Sequence, residues 1–302
     1  MAGAGHTSTT VSRSLPLQKG RTDTSGFSAH VLFDGRYCLD EPIGRGAAAY
    51  VWQATDLASL SKVAVKIFSA PLGHSPEGHE ASREAAALAA VTSDRVLQLV
   101  AHGAIIHPET GVQTPYLVMD MVPGENLRRT VARLGPYSPA AAAGLGRQLA
   151  EGLSAVHTAG YIHRDIKPSN ILIHSGNGSA KIADLGSAVS NGEDSTPSYG
   201  SLPYMSPEQV HAARLTSATD IYSLGLVLLE CLTGVRAFDL PQVESMVVRT
   251  VRGPQIPAGL PAGWAPLLTA MTALDPTGRP TADQCRHAFA ALAADHGESR
   301  AA

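Results

Sequence analysis

Apolar positions alternate with polar ones in the first third of the chain and recur at helical spacing afterwards. Arg36 to Ile43 reads as a strand running into the small-residue turn Gly44-Arg45-Gly46-Ala47-Ala48-Ala49. A returning strand follows, in which Tyr50 and Trp52 alternate with Val51 and Gln53. Lys62 to Phe68 alternates again, and Glu80 to Val91 is Ala-rich with strong helix propensity. Val96 to Ile106 and Thr114 to Met121 read as two more strands, the second stopped by the turn signal Pro123-Gly124. Beyond it the pattern predicts a short helix over Asn126 to Leu134 and a longer one over Ala140 to Thr158. Ser138 is the expected N-cap of the second, Pro139 its first residue and Gly160 its stop. Ile171-Leu172-Ile173 is a short strand, Ile221 to Leu232 an apolar helix, and Trp264 to Leu274 and Thr281 to Ala293 amphipathic helices. Five strands and one helix followed by a mainly helical region predict a two-lobed α+β fold. The expected boundaries are 31–121 and 122–296, flanked by a flexible Ser/Thr-rich tail, 1–30, and a short tail, 297–302.

Composition changes this picture only by exclusion. Of 302 residues 44% are hydrophobic and 16% charged, a globular composition. The net charge of −3 supplies no basic field for adhesion to nucleic acid or membrane. Cys38, Cys231 and Cys285 are odd in number and lack C-x-x-C spacing, so reduced, mostly buried thiols are expected. His74, His79, His102 and His107 show no ligand spacing and are expected at the surface. The best apolar run, Ile221 to Val235, falls short of a membrane span and contains Glu230. The first thirty residues lack an apolar leader core, so the expected setting is soluble and cytoplasmic.

Two stretches carry the chemistry. His163-Arg164-Asp165-Ile166-Lys167-Pro168-Ser169-Asn170 and, after an apolar run, Asp184-Leu185-Gly186 present two carboxylates, an ammonium and an amide on turns. A Mg-nucleotide site needs an acceptor for a hydroxyl proton, a cation for phosphate and hard oxygen ligands. Upstream, Gly44 and Gly46 let backbone N–H groups approach phosphate oxygens, and the strand that follows them argues against a dinucleotide-binding βαβ unit. Lys66 lies in a β-branched run and needs an anionic partner; Glu84 and Glu80 on the next helix are the candidates.

In this order and spacing the chain resembles the eukaryotic-type (Hanks-type) serine/threonine protein kinases, and among them soluble bacterial members, over about Leu32 to Ala293. The resemblance implies ATP with Mg²⁺, or Mn²⁺, as cofactors and proteins bearing Ser/Thr as substrates. It makes Asp165 the acceptor of the hydroxyl proton, Lys167 the serine/threonine-type cation at the transferred group, and Asn170 and Asp184 the metal ligands. Lys66, held by Glu84 rather than Glu80, would position the phosphates, and the hydroxyl of Ser201 would bond Asp165 and Lys167. Ile43, Gly44, Arg45, Gly46, Val51, Ala64, Leu172 and the backbone of Asp120 and Val122 would surround the nucleotide, with Met119 as gatekeeper. Arg164, Glu208, Asp220 and Arg279 would support the frame, Glu208 pairing with Arg279 and Asp220 holding the loop backbone.

The connection from Asp184 to Glu208, about 25 residues, is long enough to be functional. Autophosphorylation of 187–199 is expected, at Thr196 before Ser195 and Ser198, with Arg164 receiving the new charge and a transient homodimer serving the transfer. The sequence departs from the family pattern at Ala49 for a third glycine, Leu185 for Phe, Ser206 for Ala and Ser201 for Thr. Ser169 replaces an acidic residue often linked to basic substrates. A pseudokinase scaffold draws support from Ala49 and Leu185 alone. A small-molecule phosphotransferase is disfavoured by the docking segment Gly200 to Glu208. Because the chain ends soon after Ala293, no appended sensor or membrane domain is expected.

Overall fold

The computed structural model describes residues 26–46, 48–69, 78–190 and 202–298. Two compact units are present. The first takes in the chain as far as Ala89 together with Gln98–Met121; the second takes in Ala90–Leu97 and the chain from Val122 onward.

Among the described residues the first unit is a six-stranded antiparallel sheet and one helix. Its strands are β1 (Leu32–Phe33), β2 (Tyr37–Arg45), β3 (Ala49–Asp56), β4 (Lys62–Phe68), β5 (Leu99–Ile106) and β6 (Gln113–Asp120), in the order β1-β2-β3-β4-β6-β5; α1 is Gly78–Ala90. Strand β1 was not among the five expected. It is two residues long, too short for a period, but Asp34 (φ 49°) and Gly35 (φ 67°) form the left-handed Asp-Gly turn that pairs Phe33 with Tyr37. Phe33, Tyr37, Leu39, Trp52, Val65, Ile67 and Val118 build one apolar core. Phe27 joins it and packs edge-on against the His107 ring at 5.0 Å, so His107 is a half-buried packing residue rather than a surface one. His102 is exposed.

Strand β5 starts at Leu99, not Val96. Val96 makes a lone parallel bridge to Ile182, whose N–H donates to Arg95 O (2.7 Å) and whose carbonyl accepts from Leu97 N–H (2.9 Å). One apolar stretch thus feeds two sheets, which is why Ala90–Leu97 belongs with the second unit.

The second unit contains β7 (Gly124–Asn126), α2 (Leu127–Leu134), α3 (Pro139–Thr158), β8 (Tyr161–Ile162), β9 (Ile171–His174), β10 (Ala180–Ile182), β11 (Val189–Ser190), α4 (Pro207–Val210), α5 (Ala218–Thr233), α6 (Gln242–Val251), α7 (Trp264–Met271) and α8 (Ala282–Glu298). The strands form the small sheets β10-β9-β7 and β11-β8. Local sequence sets the helix starts: Asn126 Oδ1 accepts Arg129 N–H, and Ser138 Oγ accepts Ala141 N–H with Pro139 at the first position. Helix α5 is buried on nearly every face, and a Cβ on Gly225 would come within 2.8 Å of Thr272, so glycine there lets α7 pack close. Helix α7 stops at Met271, three residues short of its expected end, and α8 runs past Ala293 to Glu298. All three cysteines are free. Cys231 and Cys285 are buried, and burial pushes the Cys285 thiol up to about 12. No described helix is long and apolar enough to cross a membrane.

Candidate active site

In the first unit the exposed end of β2 carries Ile43, Gly44 and Arg45, the last two opposite Val51 and Tyr50 of β3, and Gly46 follows it. The turn closes where Gly46 N–H donates to Ala49 O at 2.8 Å, and the Arg45 guanidinium lies 5.4 Å over the Tyr50 ring. Ala49 is buried and pairs with Phe68, so its methyl points into packing. On β4, next to buried Ala64, Lys66 stands opposite Val51 and Leu117. Its Nζ donates to both carboxylate oxygens of Glu84, at 2.9 and 2.7 Å. Lys66 is 13% exposed and Glu84 0%. A carboxylate that deep is tolerated only against a cation, so the choice between Glu80 and Glu84 falls to Glu84. At the end of β6, Asp120 exchanges N–H and Oδ1 contacts with the backbone of Gln98 (3.0 and 2.7 Å). Val122, buried, opens the second unit.

In the second unit the loop after β8 is built around a buried carboxylate. Asp220, 0% exposed on α5, accepts His163 N–H at 2.9 Å and Arg164 N–H at 2.8 Å, and His157 Nε2 lies 2.8 Å from the same group. Burial pushes its carboxyl up, but the His157 and backbone donors outweigh that and hold it below the usual range. Arg164 takes the left-handed conformation (φ 66°), and its Nε donates to Ser187 O at 2.7 Å. His163 Nδ1 accepts Asp165 N–H (3.3 Å), so Nε2 carries the proton and donates to Ala183 O (3.2 Å).

Asp165 Oδ2 meets Lys167 Nζ at 2.5 Å and Asn170 Nδ2 at 3.1 Å; the same Asn170 nitrogen also donates to Asp165 O at 3.0 Å. With its nitrogen turned to Asp165, Asn170 presents its amide oxygen away from that carboxylate. Asp184, left-handed at φ 66°, heads the turn Leu185–Ser187, with Leu185 fully buried. Leu172 sits half-buried on β9 between Lys181 and Asn126. An amide and a carboxylate oxygen suit a hard ion such as Mg²⁺ or Mn²⁺, which keeps water and phosphate as its other ligands. Among the described residues no three His, Cys, Asp or Glu side chains cluster into a ready-made metal cage.

Helix α4 completes the frame. Arg279 grips Glu208 through Nη1–Oε1 (2.7 Å) and Nη2–Oε2 (2.9 Å), and Thr219 Oγ1 adds a third donor. Burial raises the Glu208 carboxyl, yet Arg279 holds it below the ordinary value. Ser206 caps the helix, and its boxed partner Gln209 sends Nε2 to Arg164 O at 2.8 Å. Gln209, His157 and the buried Arg249 were absent from the sequence reading. Arg249 donates to Met205 O and to Ser245 and lies 4.9 Å over the Phe238 ring. The Ser206-x-x-Gln209 spacing was the readable signal for Gln209; nothing local marks the other two. Thr196, Ser195, Ser198 and Ser201 lie outside the described residues.

The protein kinase domain matches residues 37–289, and the chain belongs to that family. It is 35% identical over 212 residues to the probable serine/threonine-protein kinase PknB of Corynebacterium glutamicum, covering 68% of this chain and 32% of that protein. Identity to serine/threonine-protein kinase PknA of Mycobacterium tuberculosis is 32% over 234 residues (75% and 53%). To PknL of Mycobacterium bovis it is 30% over 257 residues (82% and 63%). The matched stretches therefore span from about a third to under two thirds of these relatives.

Proposed function

We propose that the chain is an ATP-dependent serine/threonine protein kinase, transferring the γ-phosphoryl group to Ser/Thr hydroxyls of proteins. The observation that carries this reading is the compact set Asp165, Lys167 and Asn170 on a loop whose backbone is bonded to a fully buried carboxylate. The names of the relatives point the same way.

Lys66, set by Glu84, would bind the α- and β-phosphates, while the turn from Ile43 to Gly46, with Val51 and Ala64, would cover the nucleotide. The Asp120 N–H is committed to Gln98, which leaves the donor role toward adenine to Val122; Leu172 would pack beneath the ring. Mg²⁺, held by Asp184 and Asn170, would neutralise charge on the phosphates when bound. Asp165 orients the attacking hydroxyl and takes its proton, with Lys167 and Asn170 fixing the plane of its carboxylate and Lys167 facing the transferred group. The Ser201 hydroxyl would add a contact to Asp165 and Lys167. Autophosphorylation within 187–199, Thr196 first, and a transient homodimer belong to the same reading; Arg164, already bonded to Ser187, lies at the start of that stretch.

The test incubates the protein and an Asp165→Asn variant with labelled ATP·Mg and a generic protein substrate. Asp165-dependent label on Ser/Thr of either protein is expected. Its absence sinks the reading, and label confined to small metabolites moves it to a different phosphotransferase class.

A further inference from the structure

We propose that Gln209 is a positioning residue for Asp165: its side-chain amide couples the start of α4 to the peptide that carries the catalytic carboxylate. The inference deepens the kinase reading and rests on it for the role of Asp165.

Three hydrogen bonds define the residue, two of them through its side-chain amide. Oε1 accepts Ser206 N–H at 2.9 Å, the Gln209 N–H donates to Ser206 Oγ at 3.4 Å, and Nε2 donates to Arg164 O at 2.8 Å. The first two form a capping box, which any Glu or Gln at this position would supply. The third is different, because a capping box has no need of it and only the amide nitrogen provides it. It reaches 45 residues back along the chain to the carbonyl directly before Asp165.

That carbonyl belongs to a strained conformation held by contacts on both sides of Arg164. Arg164 is left-handed at φ 66°, an arrangement a residue with a Cβ holds only when its surroundings enforce it. Asp220 holds the Arg164 N–H on one side of the residue. On the other side lies the Arg164–Asp165 peptide, whose N–H meets His163 Nδ1 at a long 3.3 Å and whose C=O meets Gln209 at 2.8 Å. Rotation of this peptide swings the Asp165 side chain directly. Of the hydrogen bonds described for the N–H and C=O of this peptide, the one to Gln209 is the shorter. Segment 202–206 is anchored independently, by Ser223 Oγ on Tyr204 O (2.8 Å) and Arg249 Nη1 on Met205 O (2.7 Å), so α4 is a fixed point from which to pull.

Gln209→Glu separates the two roles of the side chain. Glutamate keeps the acceptor for Ser206 N–H and adds a favourable charge in the first turn of the helix, but it cannot donate to Arg164 O. The expected result is a kcat lowered about ten-fold, with KM for ATP and for a peptide within about two-fold of the parent, since displacement of a reacting group costs rate before it costs binding. Amide hydrogen exchange over 163–167 should quicken in the variant while α5 and α8 stay unchanged, with the melting temperature held. Unchanged kcat together with unchanged exchange would overturn the proposal and leave a capping residue only. If Gln209→Glu does not fold, Gln209→Ala replaces it under the same exchange readout. A wild-type protein without Asp165-dependent activity would defeat the kinase reading alone, because exchange still decides whether Gln209 holds the loop.

Discussion

In the first unit a lysine on a strand is set by a carboxylate on a helix, side chain to side chain. In the second, Asp165 is set largely through the main chain: Asp220 on two N–H groups, His163 on a third, Gln209 on a carbonyl and Asn170 on another. The difference is one of adjustability. A Lys–Glu contact lengthens with a rotamer change or a small shift of α1, whereas the loop around Asp165 can move only by breaking several backbone bonds together. Changes of state are therefore cheaper in the strand-and-helix arrangement than in the backbone-bonded one.

The sharpest break of this comparison is chemical. Asp165→Asn leaves the backbone contacts in place and should slow phosphoryl transfer by roughly 10²–10⁴-fold, with nucleotide affinity by calorimetry nearly unchanged; retained turnover would remove Asp165 from its role. Next in size is Asp220→Ala, which strands His163 N–H, Arg164 N–H and His157 at once and should cost about 3–5 kcal/mol in urea unfolding. Lys66→Met combined with Glu84→Gln removes the side-chain contact without stranding a buried carboxylate and should cost about 1–3 kcal/mol. If the order of these two losses were reversed, the contrast drawn above would fail.

Acid titration tests the same frame. Asp220 and Glu208 are both held below their ordinary values of 3.8 and 4.5. Such groups stabilise the fold above the unfolded values and lose that contribution as pH falls through the depressed ones. The urea midpoint should drop from about pH 5 downward, and Glu208→Gln should flatten the slope; a pH-independent midpoint would count against both. The smallest effect belongs to Lys62, whose 2.9 Å pair with Asp40 is half exposed: Lys62→Ala should change stability by less than about 1 kcal/mol.

Legibility followed distance along the chain. Strands β2 to β4, the N-cap of α3, and the polar types at 163–170 are local patterns, and they could be read directly. The partner of Lys66 could be narrowed to two glutamates because helix spacing puts both on α1, one turn apart. What escaped depends on contacts closed by the fold. His157 reaches Asp220 across 63 residues, Gln209 reaches Arg164 across 45, and Val96 leaves its apparent strand to bridge Ile182. Arg249 escaped for another reason. A charge is expected at the surface, and only the carbonyl of Met205, the Ser245 contacts and the face of Phe238 explain its burial.

The distance between Asp220 and the groups it holds also sets an order in time. The loop at 163–165 is synthesised before α5, and its two N–H groups acquire their shared acceptor only 56 and 57 residues later. A nascent chain halted before Ala218 carries every side chain of the 163–170 motif but not the carboxylate that shapes it. On the ribosome the loop is therefore complete in sequence before the carboxylate that accepts its two N–H groups has been made.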